Sequence, residues 1–398
     1  MRTGKSKYIP FNIYALERIA SKDLGSDKIC SIRLTVDSPC EKWFEISDST
    51  NQSSCIVKIP FPSVEFYRVE NEVHTIDYLR QNTTLPVPRI LSHCSHSENA
   101  VGMEYIILEP PLGRSLDEVW NILSSNERKG YILELIDFKL QILRLTSDKI
   151  GCIYKKSTHF AVGPLLSFLE HDIPECGPWH TLDHYLHSLA ALYLSHLKSR
   201  KSSAHDTPGH FPSRLSKVAI QKFLQVAPYL QPPKDLCKFV LHHPDLSLSN
   251  IYVYEGRISC ITGWSSSAFQ PLFEAVQPPK CLQRFDGESI EATLLRKLYY
   301  DKITPLVPAQ FTSPRLDFFR QLLRLILSHA SPKGLSCAIV DIVEHWNIFR
   351  SNTEIECPIT VSKREKRKTL RCESLPAVSE VIFDHNRWEV PIEDMVYE

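Results

Sequence analysis

The chain has 398 residues, 43% hydrophobic and 23% charged, which is ordinary for a folded protein and too long for one small core. Lys plus Arg and Asp plus Glu both total 46, so the formal net charge is zero and neither a nucleic acid nor an anionic membrane surface is an expected partner. No apolar run approaches the ~20 residues of a membrane span, and the 12 scattered cysteines contain no C-x-x-C pair, which argues for free thiols in a reducing compartment rather than a disulfide framework or a zinc site.

The N-terminal stretch Met1-Arg2-Thr3-Gly4-Lys5-Ser6-Lys7 is basic but short for a transit peptide, and no secretory apolar region follows. A soluble intracellular protein is expected. Ile13 to Ala20 has the pattern of a short amphipathic helix. Ser31 to Val36, Lys42 to Ile46 and Cys55 to Ile59 then form three strands, separated by the turn Asp37-Ser38-Pro39-Cys40 and a polar tip from Ser47 to Ser54, and so predict an antiparallel meander. Phe66, Val69, Val73, Ile76 and Arg80 fall on one helical face, with Glu72 beside it, and Leu85-Pro86-Val87-Pro88 ends the helix. Val101 to Glu109 gives another strand, and Pro110 to Gly113 forms a linker.

Beyond Gly113 the pattern is mostly helical. Ser115 caps a helix through Trp120, Leu133 to Leu145 is apolar at helical spacing, and Thr181 to Lys198 carries the stripe Leu182, Leu186, Leu189, Tyr193 and Leu197. Ser202 to Pro212 is expected as a loop. Helices are expected around Glu288–Tyr300, Arg315–Leu327 and Leu335–Phe349, and the charge run Lys363 to Lys368 as a solvated helix face. The division that follows is residues 1–110 as a β-rich nucleotide-binding lobe, 111–358 as a helical lobe and 359–398 as a charged tail.

Most of the chemistry is concentrated between residues 239 and 261. The apolar run Phe239-Val240-Leu241 leads into His242-His243-Pro244-Asp245-Leu246-Ser247-Leu248-Ser249-Asn250. Ile251 to Tyr254 and Arg257 to Ile261 leave it as a hairpin turned by Glu255-Gly256. A His-x-Asp loop with an Asn five residues after the Asp is what phosphotransferases of the protein-kinase type use. The Asp accepts the proton of the acceptor hydroxyl and the Asn holds Mg²⁺. The alternative is a surface loop in which Asp245 and Asn250 only satisfy turn backbone. With a strand-rich lobe before it, the loop suggests an ATP cleft. Lys58 on the third strand then suits the phosphates, and Glu72, 14 residues later on the helix, suits an ion pair with it. Taken singly, Lys58 also fits a strand-edge lysine and Glu72 an exposed helical carboxylate.

The chain resembles a fungal aminoglycoside phosphotransferase / choline-kinase-like group, and within it the altered inheritance of mitochondria protein nine family. The stretches that carry this are Lys7 to Asn12, Ile56 to Pro60, Glu72 to Arg80, Leu85 to Ile90, Gly102 to Ile106, Gly177-Pro178-Trp179, His243 to Ile251 and Pro271-Leu272-Phe273. The resemblance implies an α+β, bilobal protein-kinase-like fold with a small antiparallel-sheet lobe, one helix in it, and a large, mainly helical second lobe. It implies ATP and Mg²⁺ as cofactors, Asp245 as base, Asn250 as metal ligand, Lys58 as phosphate contact and Glu72 as its partner. It also raises a mitochondrial location, against the cytoplasmic one expected from the lack of a clear transit peptide.

Two departures from that family pattern stand out. Where the pattern has Ile-Asp-Trp, with the Asp on the bridging metal, this chain has Ile261-Thr262-Gly263-Trp264. Where it has a glycine-rich loop, this chain has Asp37-Ser38-Pro39-Cys40-Glu41-Lys42; Pro39 lacks an N–H, and Asp37 and Glu41 bring like charge towards phosphate. Two functions are therefore expected as alternatives. One is ATP-dependent phosphoryl transfer to a hydroxyl of a small molecule, weakened by loss of the metal-binding carboxylate. The other is a catalytically inactive pseudokinase that acts as a binding or scaffold protein.

Overall fold

The computed structural model describes residues 10–26, 30–38, 40–48, 53–61, 64–169, 173, 175–203, 213–232, 234–282, 289–306, 314–328, 332–349 and 355–370. Pro39, the basic N-terminal stretch before residue 10, most of the expected 202–212 loop and the tail beyond residue 370 lie outside the described residues. Within them the chain divides into two compact units.

The first unit opens with α1 (Ile13–Asp23), capped by the Asn12 side chain, which accepts a hydrogen bond from the Ala15 N–H. Strands β1 (Ser31–Asp37), β2 (Glu41–Asp48) and β3 (Ser53–Pro60) follow. Then come α2 (Tyr67–Asn82), β4 (Ile90–Cys94) and β5 (Tyr105–Leu108). They build a five-stranded antiparallel sheet in the order β1-β2-β3-β5-β4. The expected meander is present, with β4 as an additional edge strand and a shorter β5, because the residues from Val101 to Glu104 turn before the strand begins.

Strand alternation assigns the two faces of this sheet. Cys55, Val57 and Ile59 of β3 and Ile107 of β5 join the core with Leu16 and Ala20 of α1. Ile106 and Leu108 point the other way and pack on Val69 and Val73 of α2. Lys58, between Val57 and Ile59, is thereby turned to the α2 face. The helix is buried on nearly all sides, from Val69 through Leu79.

The same unit continues through β6 (Arg114–Ser115), α3 (Leu116–Val119) and α4 (Ser125–Leu143). Ser115 caps α3 as expected, although the α-helical part is only 4 residues long, and a Ser124–Glu127 capping box starts α4. Next are β7 (Thr146–Ser147), β8 (Gly151–Lys156), β9 (His159–Gly163) and α5 (Leu166–Leu169). Helices α6 (Leu182–Ser203) and α7 (Ser213–Leu230) belong to the second unit. The chain then rejoins the first with β10 (Phe239–His242), β11 (Ile251–Tyr254), β12 (Arg257–Ile261), β13 (Ala268–Pro271), α8 (Leu272–Ala275) and α9 (Ile290–Ile303). A second antiparallel sheet runs β7-β10-β13-β8-β9, and a third β12-β11-β6. Glu255 and Gly256, both at positive φ (48° and 77°), turn β11 into β12. Gly113 takes φ 86°, and a Cβ there would lie 2.0 Å from the Val253 carbonyl oxygen, so only glycine fits.

The second unit also contains α10 (Pro314–Ser328), α11 (Pro332–Glu344), α12 (Trp346–Phe349) and α13 (Lys363–Leu370). Its interior holds the fully buried rings of Tyr193, Phe223, Phe318 and Phe349, the last two 4.5 Å apart. Lys222 and Glu365 tie α13 to α7 with an ion pair of 2.6 Å. No helix among the described residues is long and apolar enough to cross a membrane.

Two polar residues hold α2 to the second sheet, His74, whose Nδ1 accepts from the Lys155 N–H at 3.0 Å, and Asn71. The wholly buried Asn71 donates through Nδ2 to the Ser267 carbonyl at 3.1 Å and to the Ile153 carbonyl at 3.4 Å. Asn71→Leu removes the donor and strands those carbonyls. Urea unfolding should therefore give a stability loss of about 2–3 kcal/mol.

Candidate functional site

Lys58 and Glu72 meet as a consequence of the alternation on β3. The Lys58 ammonium lies 2.7 and 3.0 Å from the two Glu72 oxygens, and both side chains are buried. Glu72 is therefore not an exposed helical carboxylate, and Lys58 is not an edge lysine. A second carboxylate joins them. Glu41, at the start of β2, places Oε2 3.1 Å from Lys58 Nζ and accepts from the Trp43 indole at 2.9 Å. Trp43 faces Lys58 across the β2–β3 ladder, with Nζ 5.4 Å from its ring centre. Burial works against the Lys58 charge, but Glu72 and Glu41 outweigh it and hold its pKa above the ordinary lysine value. The other carboxylate of that turn, Asp37, is ion-paired with Lys42.

Asp245 and Asn250 come together in the loop between β10 and β11. Asn250 Nδ2 donates to the Asp245 carbonyl at 2.8 Å, and the Thr262 N–H donates to the Asn250 carbonyl at 2.9 Å. His243 braces the loop from behind. The Asp245 N–H donates to its Nδ1 at 3.1 Å, so Nε2 carries the ring proton and donates to the Thr262 carbonyl at 2.8 Å. Its ring packs edge-on against buried Trp264, with centroids 4.4 Å apart. Burial pushes the His243 pKa down to about 4, and the imidazole is neutral at physiological pH.

The Asp245 carboxylate has a cation beside it. Lys280 Nζ lies 2.9 Å from Oδ1, as an ion pair without hydrogen-bond geometry. No hydrogen bond or ion pair of the described residues joins Asp245 or Asn250 directly to Lys58 or Glu72. The two pairs are linked through α2. Asn71, next to Glu72, reaches the Ser267 carbonyl in the turn that follows Trp264, and the Ile261 N–H donates to the Pro86 carbonyl at 2.7 Å in the segment after α2.

The residues present do not fit the Mg²⁺ that the resemblance implies. Mg²⁺ is held through carboxylates in addition to phosphates and water. Gly263 has φ 82°, and a Cβ built on it would stand 2.8 Å from Asn250 Nδ2. The chain offers no ligating side chain at that position, and a Cβ there would press on the Asn250 amide. Asp245 is already charge-paired, and among the described residues no group of three or more His, Cys, Asp or Glu could hold a metal ion. Asn250 fastens the loop by donating through Nδ2 to the Asp245 carbonyl, and its Oδ1, the atom the expected metal role would use, lies 3.4 Å from the Thr262 hydroxyl.

Glu41, Asn71 and Lys280 were not singled out in the sequence. Glu41 could be found by carrying the β2–β3 register through to Lys58. Lys280 has no such signal, because it follows Pro278-Pro279 at a distance no local pattern relates to Asp245.

The His243 brace has a pH signature. Its folded pKa of about 4 lies below the ordinary 6.5, so its stabilising effect is complete above pH 6.5 and is lost as pH falls towards 4. Urea unfolding across that window should show an acid loss about 3 kcal/mol smaller in His243→Gln than in the parent chain.

Comparison with known proteins agrees with this architecture. A subtelomeric hrmA-associated cluster protein of Aspergillus fumigatus is 25% identical over 359 residues, covering 75% of this chain and 68% of that protein. Altered inheritance of mitochondria protein 9 of Candida tropicalis is 37% identical over 93 residues, 22% of this chain and 15% of that protein. Among solved structures, the ternary complex of APH(2'')-IIa with streptomycin and ATP superposes with a TM-score of 0.51 at 12% identity, covering 86% of this chain and 100% of that one. ADP-bound aminoglycoside phosphotransferase APH(2'')-Ib gives 0.51 at 11% identity, covering 85% and 99%. These likenesses establish the kinase-like α+β fold. Residues 44–273, more than half of the chain, match the phosphotransferase enzyme family, and the chain belongs to that family.

Proposed function

We propose that the chain binds ATP and transfers its terminal phosphoryl group to a hydroxyl of a small molecule. The observation that carries this reading is the buried Lys58–Glu72 pair at 2.7 Å. A buried ammonium is expensive to maintain unless it is held for a ligand or a partner charge. One held at its ammonium by a helical carboxylate is placed to meet phosphate oxygens. Asp245 accepts the proton of the acceptor hydroxyl as the new P–O bond forms. Its Oδ1 is shielded against Lys280, and no hydrogen bond of the described residues takes up Oδ2. The His243 brace and the Asn250 amide keep the loop backbone fixed under that carboxylate. The structural neighbour that carries ATP in its ternary complex supports the choice of nucleotide. The zero net charge supports a small-molecule acceptor over nucleic acid or a membrane. Relatives named as mitochondrial support a mitochondrial location.

A second reading, a binding protein without turnover, has a specific observation in its favour. Lys58 and Asp245 both already have partners of opposite charge within the chain. Glu41 shares Lys58 with Glu72, and Lys280 occupies Asp245. In that reading the pairs are structural, and a nucleotide has to displace Glu41 to reach Lys58.

Two measurements separate the readings. If Asp245 is the base, Asp245→Asn lowers ATP turnover by about 10²–10⁴-fold with nucleotide affinity retained. Turnover equal to background in both proteins leaves the binding reading. Glu41→Gln removes the competing carboxylate from Lys58 while leaving Glu72 in place. Isothermal titration should then give ATP binding roughly 3–10-fold tighter than the parent chain. Unchanged or weaker binding would mean that Lys58 does not contact the nucleotide.

A further inference from the structure

Lys280 is fastened to the Asp245 loop twice. Its backbone N–H donates to the Leu246 carbonyl at 3.1 Å, and its ammonium lies 2.9 Å from Asp245 Oδ1. It starts a short 3-10 turn, Lys280–Leu282, directly after Pro278-Pro279. The side chains of Lys280 and Asp245 are 56% and 46% exposed, so an incoming ligand can reach the pair. An ion pair this exposed contributes little to folding. Its chemical setting is more informative. Asn250, bonded to the Asp245 carbonyl, lies against Gly263, a position that offers no ligating side chain. A transferring phosphoryl group carries charge on its oxygens that must be met by cations at the point of transfer. Beside Asp245 the chain supplies that cation itself, as a flexible ammonium with three donors.

We propose that Lys280 is the counter-charge for the terminal phosphoryl group of a nucleoside triphosphate at this site, so that nucleotide binding does not require Mg²⁺. This inference rests on the nucleotide-binding reading given above. Lys280 turns from Asp245 Oδ1 to a terminal phosphate oxygen, and stays close enough to the carboxylate to hold phosphate and base together. The requirement is specific to the last phosphate, because Asp245 marks the transfer end of the nucleotide and Lys58 the inner phosphates.

The test is isothermal titration of ATP and ADP into the full chain, once with EDTA and once with excess Mg²⁺. The parent chain should bind ATP within about threefold the same in both buffers. Lys280→Ala should weaken ATP by about tenfold or more and ADP by less than about threefold, with Lys280→Arg retaining most of the ATP affinity. The melting temperature of Lys280→Ala without nucleotide should stay close to the parent's, which separates a ligand contact from a structural one. Loss of parent ATP binding in EDTA overturns the proposal. So does a Lys280→Ala protein that binds ATP as the parent does while Lys58→Met does not; that outcome leaves the nucleotide site itself standing. Absence of ATP binding by the parent in both buffers overturns the proposal and the nucleotide reading together.

Discussion

The buried ammonium of Lys58 sets the terms for the rest of the first unit. A lysine without solvent needs its charge answered within hydrogen-bond distance, and the chain answers it twice, from α2 and from the start of β2. Each answer constrains geometry. Glu72 requires α2 to lie across the face of the sheet that Val57 and Ile59 leave free. Glu41 requires the β1–β2 turn to end on the same side. The helix so positioned is then held from its other side by Asn71 on the second sheet. An ion pair that is weak evidence for stability thus becomes a strong determinant of register, because breaking either partner leaves an uncompensated charge in the interior.

The loop at Asp245 is organised by a different economy of groups. Neutral His243, packed on Trp264, and the Asn250 amide tie the backbone to Thr262 and to itself, and buried Lys139 helps keep the imidazole neutral. The buried Lys58 pair and the Asp245 loop are thus organised separately within a chain that belongs to the phosphotransferase enzyme family. What differs is the electrostatic inventory around them. The carboxylate of the loop lies beside the Lys280 ammonium, and Lys58 carries two carboxylates.

Much of this was legible in the sequence, for reasons that can be stated residue by residue. Lys58 on a strand and Glu72 on the following helix, 14 residues apart, were paired in the sequence by the order of elements that a kinase-type cleft uses. The His-x-Asp spacing located the loop because loop length and side-chain type are local properties. The β8–β9 hairpin was missed within a region read as mostly helical. Gly151-Cys152-Ile153-Tyr154 is a short apolar run with no alternation, and besides its hairpin partner β9 it pairs with β13, more than a hundred residues away. Strand β4 was missed for the same reason, as it acquires its identity from β5. Lys280 and Asn71 act on partners set by tertiary packing, and no local window contains both ends of those contacts.

Gly263 has a consequence for the history open to this chain. The amide of Asn250 fills the space beside it and is bonded to the Asp245 carbonyl, so a side chain at 263 is opposed both by its φ of 82° and by a neighbour with a task of its own. A carboxylate placed at that position therefore has to carry the backbone strain and displace the amide in the same step, so the glycine is coupled to Asn250 and the two positions are free to change only together.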